Sequence, residues 1–265
     1  MDVLTIGGVG IGGDNPCRFV AEIGANHNGS LATAHRLIEA AHHTGAEFVK
    51  LQAYTLPEIL GLRGDGPAPE PWARFGTLRQ LYERAITPLA WLPELFQHAR
   101  DIGMVPFASV FGLESLAALE ALDCPAYKIA AYDVSTESLR RAIAIAAGRQ
   151  LVVSTPGVDP FGHYGDGVCV LYCPPGYPTM AQNVALPLFA ELDHELDQPA
   201  AHIGLSSHCL DPFLPIAAVA RGCKLIEMHL QHVDKPAELD GSFSLTADQF
   251  GQMVQSVRQT ERLLA

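Results

Sequence analysis

Positive charge is scarce. Lysine and arginine together number 17 in 265 residues against 29 aspartates and glutamates, a formal net charge of −12. That balance argues against nucleic acid or an anionic membrane as a partner, because both are held by clustered cations. It also means that an anionic substrate must be met by individually placed lysines and arginines. No apolar run approaches the roughly 18 residues of a membrane-spanning helix, and no signal peptide opens the chain. The six cysteines, Cys17, Cys124, Cys169, Cys173, Cys209 and Cys223, form no CxxC pair and no framework spacing. They read as buried thiols in a reducing compartment, and the expected location is the cytoplasm. No internal repeat stands out beyond an alternation of strand and helix.

What is present is a core. With 48% hydrophobic and 17% charged residues the chain can bury one substantial interior. The stretch Phe19–Ala53 is a complete strand–helix–strand unit. Phe19, Ala21 and Ile23 alternate with Val20, Glu22 and Gly24. Ser30 can cap a helix whose apolar stripe is Leu31, Ala34, Leu37, Ile38 and Ala41, and Gly45 suits a left-handed stop. In the second strand Val49 and Leu51 face one way, Lys50 and Gln52 the other. A charged residue in mid-strand beneath a covering helix is costly unless a partner or water meets it. In a doubly wound sheet both faces are covered. A closed barrel instead opens its inner face at the C-terminal mouth, where polar residues reach a ligand. The unit therefore favours a barrel with Glu22, Asn26, Lys50 and Gln52 at its mouth; the plain alternative is an isolated buried Glu22–Lys50 ion pair.

The same rhythm continues along the chain. Residues 1–18 are glycine-rich and apolar, read as a short hairpin on the barrel floor rather than a phosphate cradle, since no helix pattern follows directly. Leu56–Thr77 is broken by proline and glycine, read as an irregular lid. Helices are expected over Leu78–Ile86, Pro88–Ile102, Leu113–Leu122, Thr136–Ala147, Ala181–Leu196, Pro212–Arg221 and Ala247–Leu264. Strands three to eight are expected at Met104–Ser109, Ala126–Ala130, Leu151–Ser154, Val168–Cys173, His202–Ser206 and Leu225–Leu230. Between strands five and six, Thr155–Gly167 is too short for an ordinary crossover helix. The expectation is a single-domain α/β chain, a TIM (β/α)8 barrel with an N-terminal hairpin and a degenerate fifth helix.

Chemistry gathers at the strand ends. On strand eight Ile226, Met228 and Leu230 face the helices, so Glu227 and His229 face the lumen. Strand seven runs into Ser206, Ser207 and His208. Two histidines on adjacent strand ends near carboxylates suit a divalent metal. His42, His43, His98 and His194 fall on helix faces and read as solvated. Lys50 and Lys128, with Ser154 and Ser206 at strand tips, suit a phosphate bearing a carboxylate.

AEIGANHNG, EFVKLQ, AYKIAAYD, VVST, YPT, GLSSH and IEMH, in this order over residues 5–264, resemble the N-acetylneuraminate (sialic acid) synthase family. The resemblance implies a TIM-barrel transferase that condenses phosphoenolpyruvate with an aldose to a 2-keto-3-deoxy acid. It implies a divalent ion, manganese with magnesium or cobalt as alternatives, on His208 and His229. It further implies phosphoenolpyruvate on Lys50, Lys128, Ser154 and Ser206, and Glu22, Gln52, Tyr177, Glu227 and Asp240 around the reacting centre and acceptor.

The departures bear on the acceptor. The family's KIASGD is altered at Ala131 and Tyr132, its asparagine before YPT falls at Pro175 or Gly176, and STPFD survives only as Ser109, Val110, Phe111 and Gly112. The antifreeze-like domain that follows the barrel in the family, and that supplies an arginine to the acceptor, is not among these residues. The expectation is an acceptor other than N-acetylmannosamine bound in the usual way, or a homodimer or partner protein completing the lid, with Arg63, Trp72, Arg74 and His163 as new contacts. Two other readings are a lysine-dependent aldolase and a non-catalytic binding subunit. Borohydride trapping would mark the aldolase, and inactivation by a chelator the transferase.

Overall fold

The structure, a computed structural model, describes residues 3–131, 133, 149–157, 168–187, 203–232 and 237–265. Strands β1 (Leu4–Ile6) and β2 (Val9–Ile11) form an antiparallel hairpin, turned by Gly7 and Gly8 at φ 54° and 86°. A Cβ on Gly7 would collide with Val105, so the hairpin lies against the N-terminal ends of the strands. It is the expected floor.

Eight parallel strands then close on themselves. They are β3 (Arg18–Glu22), β4 (Phe48–Ala53), β5 (Val105–Val110), β6 (Ala126–Ile129), β7 (Gln150–Thr155), β8 (Val168–Tyr172), β9 (Ile203–Ser207) and β10 (Leu225–Gln231). Each pairs with the next, and β10 pairs with β3, which shuts the barrel. A two-residue β11 (Leu245–Thr246) adds to the end of β10. All eight expected strands are present, within a residue or two of their expected bounds.

The helices follow the apolar stripes. In α1 (Leu31–His43) the Ser30 side chain accepts from the Thr33 N–H, and Ala34, Leu37, Ile38 and Ala41 are buried. Burying each large aliphatic side chain is worth about 1.5–3 kcal/mol, enough to fix which face turns inward. Gly45, at φ 85°, follows the helix end as expected. Helices α3 (Leu78–Ala85), α4 (Leu92–Asp101), α5 (Leu113–Glu120), α6 (Phe213–Ala220) and α7 (Ala247–Leu264) match their expected segments. Among the described residues no helix is long and apolar enough to cross a membrane.

Two expectations need correction. The Leu56–Thr77 stretch is not irregular throughout, because Leu56–Arg63 forms helix α2. Its start signal was legible: Thr55 and Glu58 form a capping box, with Pro57 in the first turn. The helix expected from Ala181 begins instead as a single 3-10 turn, Ala181–Asn183, followed by extended chain at Val184. Thr136–Ala147, the greater part of Thr155–Gly167, and Leu196 with the residues just before it lie outside the described residues.

Helix α2 also completes its neighbour. Gly112, before α5, has no side chain to cap with, and Glu58 Oε1 instead accepts from the backbone N–H of Glu114 (2.9 Å) and Ser115 (3.1 Å). Its other oxygen accepts from Thr55 N at 2.9 Å. One carboxylate therefore starts two helices and joins the lid to the barrel wall. Replacing Glu58 with alanine is expected to cost about 1–3 kcal/mol, a helix cap plus stranded donors. Urea unfolding checks this; a midpoint equal to wild type would contradict the dual-cap role.

Candidate active site

Period-two alternation in the strands sends one polar side chain after another into the lumen, and the parallel register levels them. His229 lies opposite Glu22, Glu22 opposite Lys50, Gln52 opposite Ser109, and Ser109 opposite Lys128. They line a cavity of about 640 Å³ at the C-terminal mouth, together with Ser154, Tyr177, Ser206, His208, Glu227 and Asp240.

The expected lysines are not free. Lys50 Nζ lies 2.6 Å from Glu22 Oε2 and 3.6 Å from Glu227 Oε1, and donates to Ser109 Oγ at 3.1 Å. Lys128 Nζ donates to both Glu227 oxygens at 2.9 and 3.0 Å. Ser206 Oγ donates to Glu227 Oε1 at 3.0 Å, and Gln52 Nε2 donates to Glu22 Oε1 at 3.0 Å. The Glu22–Lys50 pair thus exists, but inside a network rather than in isolation. All four charged groups are at most 5% exposed.

Burial and pairing pull against each other here. Burial raises the pKa of the Glu227 carboxyl, but Lys128 and Lys50 outweigh it and hold it down at about 2. At Glu22 burial wins over Lys50, and the pKa is raised. Burial disfavours the Lys50 ammonium, yet Glu22 and Glu227 more than compensate and its pKa rises. Lys128 is lowered, burial exceeding the help from Glu227.

The second half of the site is built from rings. His208 and His229 stand 5.2 Å apart between centroids, Tyr177 lies 4.1 Å from His208, and Phe243 closes the group at 5.0 Å from His229 and 5.2 Å from Tyr177. Trp72, from the lid, joins at 5.1 Å from Tyr177. Burial pushes His208 down to about 3, and burial with His208 and Lys50 nearby holds His229 well below its ordinary value. Both imidazoles are therefore neutral, the form that ligates metals. Asp240 Oδ2 accepts from Ala25 N at 2.9 Å and lies 3.7 Å from His229 Nδ1. This approach needs Gly24, at φ 51°, because a Cβ there would strike Asp240 and crowd the His229 ring.

A divalent ion suits this donor set. Nδ1 of both histidines is buried without a hydrogen-bond partner, and a carboxylate stands beside one of them. Among the described residues no group of three or more His, Cys, Asp or Glu side chains is already arranged around one point. The imidazole pair is the unit that fits.

Of the other expected residues, Ser154 reaches the cavity with its hydroxyl unpartnered. Asn26 does not line the cavity. Its amide donates to Leu230 O (2.8 Å) and Ser244 Oγ (2.9 Å), tying the loop after β3 to the end of β10. Arg63 and Trp72 line the cavity; Arg74 instead donates to Glu238 O at the lid seam, and His163 lies outside the described residues. His42 and His43 are exposed, as expected of helix-face histidines, and His98 is half-buried 3.5 Å from Glu39. Sequence reasoning missed Tyr54, Phe243 and the pairing of Ser109. Tyr54 was discoverable by carrying the Lys50, Gln52 alternation one step further. Phe243 gave no signal.

A closed parallel barrel with paired charges and a neutral histidine pair at its C-terminal mouth has the architecture of a TIM-barrel enzyme, whose active sites lie at that end. Solved structures agree on the architecture: the spore coat polysaccharide biosynthesis protein SpsE of Bacillus subtilis superposes with TM-score 0.81 at 27% identity, covering 99% of this chain and 73% of that one. The chain belongs to the NeuB family, whose model matches residues 37–265. It is similar to the pseudaminic acid synthase of Campylobacter jejuni, 33% identical over 95% of this chain and 76% of that protein. It is also similar to the human N-acetylneuraminate-9-phosphate synthase, 29% identical over 96% and 73%. The chain thus spans about three quarters of the length of these relatives.

The network separates stability from binding. Lys128→Met strands the buried Glu227 carboxylate and is expected to cost about 3–5 kcal/mol. The double variant Lys128→Met/Glu227→Met removes both charges and is expected to recover most of that loss while abolishing anion binding. Urea unfolding of the three proteins checks it; a double variant no more stable than the single one would contradict the pairing.

Proposed function

We propose that this chain is a carbon–carbon condensing transferase joining phosphoenolpyruvate to an aldose, giving a 2-keto-3-deoxy acid and phosphate. The observation that carries the reading is the cavity floor, where two buried lysines and two serine hydroxyls stand beside a neutral histidine pair. Lys50, Lys128, Ser154 and Ser206 bind the phosphate and carboxylate of phosphoenolpyruvate, exchanging their contacts with Glu227 and Glu22 for those of the ligand. Gln52 and Tyr177 orient the acceptor. Asn26 supports this set from behind by holding its loop.

Carbon 3 of phosphoenolpyruvate attacks the aldehyde carbon, and positive charge develops at carbon 2. Glu227, held ionised by Lys128 and Lys50, stabilises that charge. Glu22, whose raised pKa suits proton acceptance, takes a proton from the water that adds at carbon 2. The tetrahedral intermediate then loses phosphate with cleavage of its carbon–oxygen bond. Asp240, fixed by Ala25, borders the place of the reacting aldehyde. A divalent ion, manganese with magnesium or cobalt as alternatives, would be held by His208 and His229 and supplies Lewis-acid polarisation of the aldehyde. Of the two lysines an aldolase could use, Lys50 is kept as an ammonium, which opposes an imine there, while Lys128 has a lowered pKa but donates to both Glu227 oxygens. The same reading places a single barrel domain in the reducing cytoplasm, where six free thiols are stable, and leaves the lid open to completion by a homodimer or partner protein.

Purified protein with phosphoenolpyruvate, manganese and a panel of aldoses is expected to release phosphate, and oxygen-18 placed in the bridging position should appear in that phosphate. No release with any aldose, or label retained in the keto acid, would overturn the reading. Separately, His208→Ala and His229→Ala should each lose stoichiometric manganese by elemental analysis; a double variant that keeps it refutes the metal assignment.

A further inference from the structure

Two helices on the outside of the barrel carry a histidine and a glutamate at the same spacing, in opposite order. On α1 they are His35 and Glu39; on α4 they are Glu94 and His98. Residues four apart share one helix face. Their neighbours Ala34, Leu37 and Ile38 on α1, and Leu95, Phe96 and Ala99 on α4, are buried. The four polar side chains therefore lie along the seam where α1 packs against α4. Each histidine faces the other helix's carboxylate. His35 Nε2 lies 2.8 Å from Glu94 Oε1, and His98 Nε2 lies 3.5 Å from Glu39 Oε1. The two imidazoles meet edge-on across the seam, with centroids 4.5 Å apart.

Hydrogen bonding leaves this cluster incomplete. His98 Nε2 is buried and has no hydrogen-bond partner, Glu39 standing beyond the usual range of one. A buried nitrogen left in that state calls for an explanation, and a bound ion is one. The separation of the rings is close to the 5.2 Å between His208 and His229 at the mouth. The histidine side chains are 22% and 24% exposed and are held by the seam, whereas Glu94 and Glu39 are 62% and 51% exposed and free to swing. Among the described residues the four donors are not already gathered around one point. An ion would have to draw two exposed carboxylates onto two fixed rings, a small rearrangement.

Two imidazoles and two carboxylates suit zinc, which takes four nitrogen, oxygen or sulfur donors in a tetrahedron. Magnesium and calcium prefer oxygen alone, and manganese stands at the weak end of the divalent series. We propose that His35, Glu39, Glu94 and His98 form a zinc site at the seam between α1 and α4, separate from the barrel mouth. The ion takes Nε2 of both rings and one oxygen of each carboxylate, and replaces the present pairing of His35 with Glu94. It clamps the helix that leads into the Lys50 strand to the helix that leads into the Ser109 strand. The site stands whether or not the chain is a transferase.

The test is zinc titration of the full chain against a chromophoric chelator, with the metal alone as probe. Wild type should bind one zinc more than His35→Gln/His98→Gln. The same difference should persist in a His208→Ala/His229→Ala background, where the mouth no longer contributes. Glu39→Gln/Glu94→Gln should weaken this zinc by roughly tenfold or more. His42 and His43, exposed at the end of α1, are the rival pair, and His42→Gln/His43→Gln should leave it unchanged. Anomalous scattering from zinc-soaked crystals should show a peak between the His35 and His98 rings. Zinc should also raise the urea midpoint of wild type more than that of His35→Gln/His98→Gln, because an ion held by the folded state alone stabilises it. Equal zinc stoichiometry and affinity in wild type and His35→Gln/His98→Gln would overturn the site. So would loss of the zinc with His42→Gln/His43→Gln, indifference to the two glutamates, or no anomalous peak at the seam.

Discussion

Four buried charges constrain this protein more than any other interaction. Glu22, Lys50, Lys128 and Glu227 sit together at the mouth of a barrel whose core beneath them packs as hydrocarbon. Removing one leaves a partner charge in a low-dielectric interior. The arrangement is therefore hard to justify by stability and easy to justify by use. It holds two ammonium groups in place, each paired with a carboxylate. Under the proposed function an incoming anion takes over those contacts and the carboxylates remain beside it. Register does the rest, since parallel pairing levels residues from neighbouring strands without any loop having to position them.

The segment after β4 gives the mouth its second character. Two small hydrophobic clusters, one around Tyr54, Ile59 and Phe111 and one around Ala25, Leu81 and Leu239, lie apart from the main core. They are pinned by directional bonds at their edges. Glu58 ties the lid to α5, and Trp72 donates its indole N–H to Leu239 O at 2.9 Å beside Asp240. Lid and reacting centre are thus mechanically adjacent.

Much of this was legible before any coordinates. Alternation placed Glu22, Lys50, Gln52, Glu227 and His229 on the inner face because strand geometry admits no other result once Val49, Leu51, Ile226 and Met228 are buried. Eight strands emerged for the same reason. What could not be read was pairing. A lone strand says that Lys128 points inward, but not that Glu227, 99 residues later, meets it at 2.9 Å. Helix α2 was hidden because Pro57 and Gly61 lie within it and Gly64, Gly66 and Pro67 follow it, so the stretch has the composition of a loop despite the capping box at Thr55 and Glu58. Asn26 looked like a mouth residue from its motif, and its partners Leu230 and Ser244 lie more than 200 residues away.

The hairpin at the start of the chain has a consequence for traffic. It covers the N-terminal ends of the strands, and the barrel interior beneath the charged layer is filled by side chains, so the cavity is reached from the C-terminal side. Under the proposed function phosphoenolpyruvate on the charged layer lies deeper than the acceptor beneath the lid, and the deeper molecule must arrive first.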